Sequence, residues 1–101
     1  MIGEAYFQVA KNTERPFVVT AGELDVLVTG TTFGVRAYKD EKDIQTTLES
    51  GHVTVRVEGK SVKLIPNKQA LFDKLTMGLE VRDVDVDLYL AWADGRLVYD
   101  N

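Results

Sequence analysis

The sequence contains no cysteine, so neither a disulfide nor a thiolate metal site can form. It contains one histidine, His52, where a metal-centred β-barrel enzyme brings together two or three imidazoles. A serine-type triad would need the same His52 beside an activated hydroxyl and an orienting acid. Ser50 is near in sequence, but side chains two apart on a strand stand roughly 6–7 Å from each other, and Ser50-Gly51 reads as a pair of turn residues. Long apolar runs are missing too. The longest, Leu88 to Ala93, has six residues, against about 20 for a membrane-spanning helix. The opening residues, MIGEAYFQVAKN, lack the basic start and the apolar stretch of roughly 7–15 residues that mark a secretory signal. A protein working outside the cytoplasm with this start is expected to be a piece of a longer chain. Bases are too few and too scattered for a duplex nucleic-acid binder, with 12 Lys and Arg against 16 Asp and Glu and a net charge of −4. From Asp83 onward, five acids (Asp83, Asp85, Asp87, Asp94, Asp100) face one base, Arg96.

Helix formers are scarce, with 7 alanines in 101 residues, while Val (14), Thr (9) and Ile (3) supply 26 β-branched side chains. Such residues fit a pleated, half-buried surface. Period-two alternation recurs along the chain, as a sheet with one buried face requires. Phe7 and Val9 share a face with Ala5, opposite Tyr6 and Gln8. The same pattern appears in Phe17 and Val19; in Leu24, Val26 and Val28; in Phe33, Val35 and Ala37; and in Ile44, Thr46 and Leu48. It continues in Val53, Val55 and Val57, in Val62 with Leu64, in Ala70 with Phe72, and in Leu79 with Val81. Val84 and Val86 fall out of phase with Val81, which predicts a bulge or sharp bend near Arg82-Asp83. Turn residues separate the runs at Lys11 to Arg15, Ala21 to Glu23, Gly30 to Thr32, Lys39 to Lys42, Ser50-Gly51, Glu58 to Lys60, Pro66 to Lys68 and Asp94-Gly95. The expectation is a single all-β domain over residues 1–101, a compact sandwich or twisted solenoid-like stack of roughly 8–10 short strands. Asp87 to Ala93 alone fits a helical turn.

Residues able to do chemistry are dispersed. Asp83, Asp85 and Asp87 would line one strand face at about 6.5 Å intervals, too far apart to share a calcium ion. They read better as an acidic face that keeps a sheet edge from pairing. Glu4, Glu49, Glu58 and Glu80 could each pair with one of these aspartates as a glycosidase acid and base, but nothing in the sequence selects a pair. Gly30 to Gly34 lacks the Lys-Ser/Thr of a phosphate loop. Phe7, Phe17, Phe33 and Phe72 lie on the apolar phase of their strands and are expected in the core. Tyr6, Tyr38 and Tyr99 fall on the other phase or at strand ends, where some should reach solvent. No cofactor, metal or catalytic residue is indicated, and a binding module is the reading the residues support.

Six ordered segments carry a resemblance: GEAYFQV (3–9), RPFVVTAG (15–22), VTGTTFGVRAY (28–38), TTLESGHVTV (46–55), LIPNKQA (64–70) and AWADGRLVYDN (91–101). Together they resemble the FecR protein family, in the style of its Bacteroidetes versions. That family comprises membrane-bound anti-sigma regulators, and the matched region corresponds to their periplasmic sensor domain. The resemblance implies a non-enzymatic relay. A TonB-dependent outer-membrane transporter presents its signalling domain, and the regulator changes its hold on an extracytoplasmic-function sigma factor. It also implies a fragment, with the cytoplasmic anti-sigma domain, the transmembrane helix and a C-terminal subdomain lying outside this chain, and a periplasmic location. Gly3, Gly30, Gly51 and Gly95 are implied as turn or motif positions, and Phe7, Phe17, Phe33, Trp92 and Leu97 as structural ones. Arg96, Leu97, Val98 and Tyr99, where the C-terminal subdomain would attach, are the expected partner-binding edge, open to strand addition. The competing reading is a carbohydrate-binding sandwich using Tyr6, Tyr38, Tyr99 or Trp92 as stacking platforms.

A buried Trp92 would make Trp92→Ala cost about 3–5 kcal/mol in a denaturant melt; an unchanged midpoint would place the ring on the surface.

Overall fold

A computed structural model describes residues 2–11, 16–86 and 97–99, the last three by their backbone alone. Eight strands follow in chain order: β1 (Gly3–Val9), β2 (Phe17–Ala21), β3 (Leu24–Ala37), β4 (Asp43–Val57), β5 (Lys60–Leu64), β6 (Lys68–Asp73), β7 (Leu79–Asp83) and β8 (Leu97–Tyr99). All pairings are antiparallel except β1 with β8.

Two strands are far longer than the alternation suggested. β3 has 14 residues and β4 has 15. Run straight, each would extend about 46–50 Å, yet the molecule's longest dimension is 34 Å. Both must therefore bend, and they do so side by side. The β3–β4 register is regular from Asp25↔Arg56 to Thr29↔His52, shifts at Thr32↔Ser50, and is regular again from Phe33↔Leu48 to Arg36↔Gln45. The core-facing parity changes at the same place. Leu24, Val26 and Val28 are buried before the shift, and Phe33, Val35 and Ala37 after it; on β4 the sets are Ile44, Thr46, Leu48 and then Val53, Val55, Val57. Gly30 to Thr32 and Ser50-Gly51, read from sequence as turns, are bulges inside continuous strands. Hairpin turns and bulges draw on the same residues, and pairing with the neighbouring strand decides between them.

The flanking strands follow the bend. β1 pairs with β3 at residues 31–37 and β2 at 24–28, both along one side of β3. β6 pairs with β4 at residues 43–47 and β5 at 53–57, both along one side of β4. One sheet is thus doubled into two layers: β2, β5 and the adjoining halves of β3 and β4 form one; β8-β1-β3-β4-β6-β7 form the other. Side chains of both layers meet in one core. Gly22 of the β2–β3 turn lines the same cavity as Ala37, Ile44 and Phe72 of the opposite layer, contact that only a folded sheet allows. Phe33 (fully buried) stacks on Phe7 with ring centroids 5.1 Å apart, and Phe17 tilts against Phe7 at 6.4 Å.

At the bend itself the two backbones nearly touch. Gly51 has φ +89°, and a Cβ placed there would lie 2.5 Å from the carbonyl oxygen of Gly30 and 3.0 Å from Cα of Thr31. Thr31 is buried, and its hydroxyl lies 2.9 Å from the carbonyls of both Thr29 and His52, tying the two strands across the bulge. Gly59, by contrast, sits in the two-residue β4–β5 turn with φ +78° and nothing within 4 Å of its would-be Cβ.

Three substitutions separate these effects in denaturant melts. Gly59→Ala costs about 1 kcal/mol, from backbone strain alone, whereas Gly51→Ala costs at least about 3 kcal/mol because the methyl also meets Gly30. Thr46, fully buried with its hydroxyl unpartnered, gives the opposite sign: Thr46→Val is neutral or stabilising by about 1 kcal/mol.

Candidate functional site

The outer face of the six-stranded layer carries a row of paired positions across five strands, Tyr6–Gly34–Thr47–Gln69–Arg82. Arg82 Nε donates to Gln69 Oε1 at 2.8 Å, and Gln69 Nε2 donates to Thr47 Oγ1 at 2.8 Å. From the other side the Tyr6 hydroxyl crosses the glycine position and donates to Glu49 Oε2 at 2.5 Å. Although this is an outer face, Tyr6, Thr47 and Gln69 are buried. After β7 the chain turns onto it: Val84 N–H donates to the Asn67 carbonyl, and Val86 packs on Tyr6 with Val84 alongside. The parity slip at Arg82-Asp83 is therefore the sharp bend of the two expected alternatives rather than the bulge: β7 ends there and the chain passes to the other face. Tyr6, expected on the phase opposite the core, is taken out of use as a sugar platform by that cover. Tyr38 is half-buried; Tyr99's ring and Trp92 lie outside the described residues, as does the Asp87 to Ala93 stretch.

This layer has two edges. β7 ends it on one side with exposed Glu80, Arg82 and Asp83, and Asp83 is paired with Lys68, the charged guard expected of an edge that must not pair further. β8 ends it on the other, with Leu97, Val98 and Tyr99 in parallel register with Phe7, Gln8 and Val9. Leu97 to Tyr99 thus occupy an edge; Arg96 and Gly95 lie outside the described residues.

The acids are spread over separate tasks. Arg36 reaches Glu41 through two bonds of 2.8 and 2.6 Å, and Glu4 at 3.5 Å. Tyr38 donates to Glu4 at 2.7 Å, with the Arg36 guanidinium 5.2 Å from its ring centroid. Glu4 thereby raises the Tyr38 phenol above its ordinary value, while Arg36 lowers Glu41. A cavity of about 310 Å³ between β4, β6 and β7 has Asp43, Asp73 and Glu80 on its wall. Asp73, however, accepts the N–H groups of Leu75 and Thr76, which hold it below the usual carboxylate range. A glycosidase acid needs the reverse shift. Among the described residues no group of three or more His, Asp or Glu side chains is placed to hold a metal ion, and His52 is exposed.

The lowered carboxyls set the acid limb of stability. A group depressed in the folded state contributes fully above its unfolded value and loses that contribution as pH falls through the folded one. Stability is therefore expected to fall as pH drops below about 4.5, and Glu41→Gln, which keeps the shape but not the charge, flattens part of that fall in melts recorded from pH 7 down to pH 3.

The family model for FecR protein matches residues 1–62 of this chain. Two crystal structures of a protein assigned as an anti-sigma factor from Parabacteroides distasonis ATCC 8503, at 2.50 and 1.65 Å, superimpose with TM-scores of 0.86 and 0.87 at 29% identity. The alignments cover 93% of this chain and 44% of theirs, so the chain spans less than half the length of these relatives. No curated protein matches its sequence. With well over half of its residues matched and its fold shared along nearly its whole length, the chain belongs to the FecR protein family.

Proposed function

We propose that this chain is the periplasmic sensor and relay domain of an anti-sigma regulator. It receives a TonB-dependent outer-membrane transporter's signalling domain and passes that event, through parts of the protein outside this chain, to an extracytoplasmic-function sigma factor. The observation that carries the reading is the FecR match over residues 1–62 together with the likeness to an anti-sigma factor over 93% of the chain. The arrangement of chemical groups agrees with a role in being gripped. Glu4, Glu41 and Glu49 are engaged by Arg36, Tyr38 and Tyr6, and of the three acids on one cavity wall Asp73 is held by backbone N–H groups of its own turn; no helix of the described residues is long and apolar enough to cross a membrane. The relay needs no bond to be broken; the partner must bind one state of the regulator better than the other, by about 1–3 kcal/mol in typical couplings.

The proposed contact is the uncharged edge formed by Leu97, Val98 and Tyr99, with Arg96 before it, where an incoming strand would extend the β8-β1 side of the sheet. β7, guarded by charge, is the edge this reading leaves unused.

Titration of the 15N-labelled domain with the transporter's isolated signalling domain tests both statements. Saturable shifts centred on residues 96–99 and on β1 are expected. Shifts confined to β5 and β7 would overturn the contact surface, and the absence of any binding would overturn the assignment of this segment as the receiving domain.

A further inference from the structure

The two layers meet closely along the core but part at one end, where the β2–β3 turn faces the ends of β3, β4 and β6. A cavity of about 360 Å³ opens there. Its floor is apolar: Ala37, Ile44 and Phe72, each less than a tenth exposed. Ile2 stands at its lip, exposed. Protein interiors are packed to the density of organic crystals, so an open volume of this size over buried side chains is the shape of a binding pocket rather than of ordinary core.

The rim carries charge, and its sign runs against that of the molecule. Lys39 and Lys74 line the opening with a single carboxylate, Glu23, in a chain whose net charge is −4. Lys39 is exposed and is held in no ion pair among the described residues. Lys74 is held in place by donating to the Tyr38 carbonyl at 2.6 Å, a bond that leaves its charge uncancelled. Glu41, the acid that feels this lysine's charge, is itself bound in two bonds by Arg36. An apolar floor beneath a lysine pair selects a ligand with an apolar body and a negative head.

We propose that this end of the sandwich binds a small amphipathic anion, an apolar body bearing one carboxylate, with the body on Ala37, Ile44 and Phe72 and the head between Lys39 and Lys74. Such a site would let the domain respond to a diffusible molecule as well as to a protein. It lies at the turn-lined end of the sandwich, on residues other than Leu97 to Tyr99, and stands or falls independently of the partner reading.

Decanoate, kept below its micelle-forming concentration, is a suitable probe, with decanamide as the uncharged control. In 15N–1H spectra, decanoate is expected to give saturable shifts at Ala37, Lys39, Ile44, Phe72 and Lys74. Lys39→Glu alters an exposed side chain and leaves the floor intact, so the variant folds; it should weaken decanoate at least about tenfold, since a charge-assisted contact becomes a repulsion. Decanamide should bind wild type about tenfold more weakly than decanoate. No saturable shift at the floor residues, shifts scattered over the outer faces, or equal affinity for the amide would each overturn the proposal.

Discussion

Everything in this architecture depends on two backbones passing within touching distance where β3 and β4 bend together. A side chain at Gly51 has nowhere to go, because its Cβ would lie 2.5 Å from the Gly30 carbonyl oxygen. That single close approach lets both long strands reverse their buried face at the same level, so that one sheet becomes two layers with a shared core. Thr31 secures the crossing with its hydroxyl against two carbonyls. Without the bend, Leu24 to Val28 and Phe33 to Ala37 would lie end to end on opposite faces of a flat ribbon, and neither set would have anything to pack on.

Much of this was legible in the residues, because period-two alternation is a local signal. Most of the buried sets, from Phe7 and Val9 to Ala70 and Phe72, follow that alternation, and the all-β class follows from it; Val81, in phase with Leu79, is exposed instead. Other features were hidden for a physical reason: they are settled by partners distant in sequence. Gly30 to Thr32 and Ser50-Gly51 carry turn chemistry whether they close a hairpin or bulge a continuous strand, and only their mutual pairing tells which. Tyr6 occupies the phase that points away from the core, which means solvent only if nothing covers that face. Val84 and Val86, nearly eighty residues later, cover it. The cavity was equally invisible, since Gly22 and Glu23 come to face Lys39 and Lys74 only after the sheet has doubled. The family, by contrast, is legible in the ordered motifs alone.

The functional picture follows the distribution of charge and edges. The described acids are mostly spent on holding strands and turns: Glu4 and Glu41 around Arg36, Asp73 on its own turn, Glu49 on Tyr6. One sheet edge, β7, is guarded by charge, and the edge at Leu97 to Tyr99 has no charged residue of its own. On the proposed reading, the uncharged edge is the one that accepts a strand and the charged edge is the one that refuses it.

The doubled sheet can be measured directly. The chain has no cysteine, so Glu23→Cys and Lys39→Cys, both at exposed positions, accept a unique pair of spin labels. Because these positions flank β3 and line one cavity, pulsed dipolar spectroscopy should return a label separation of about 20 Å or less, against more than about 45 Å for a straight strand of that length. A distance distribution centred at the longer value would contradict the fold and, with it, the pocket and the layered core.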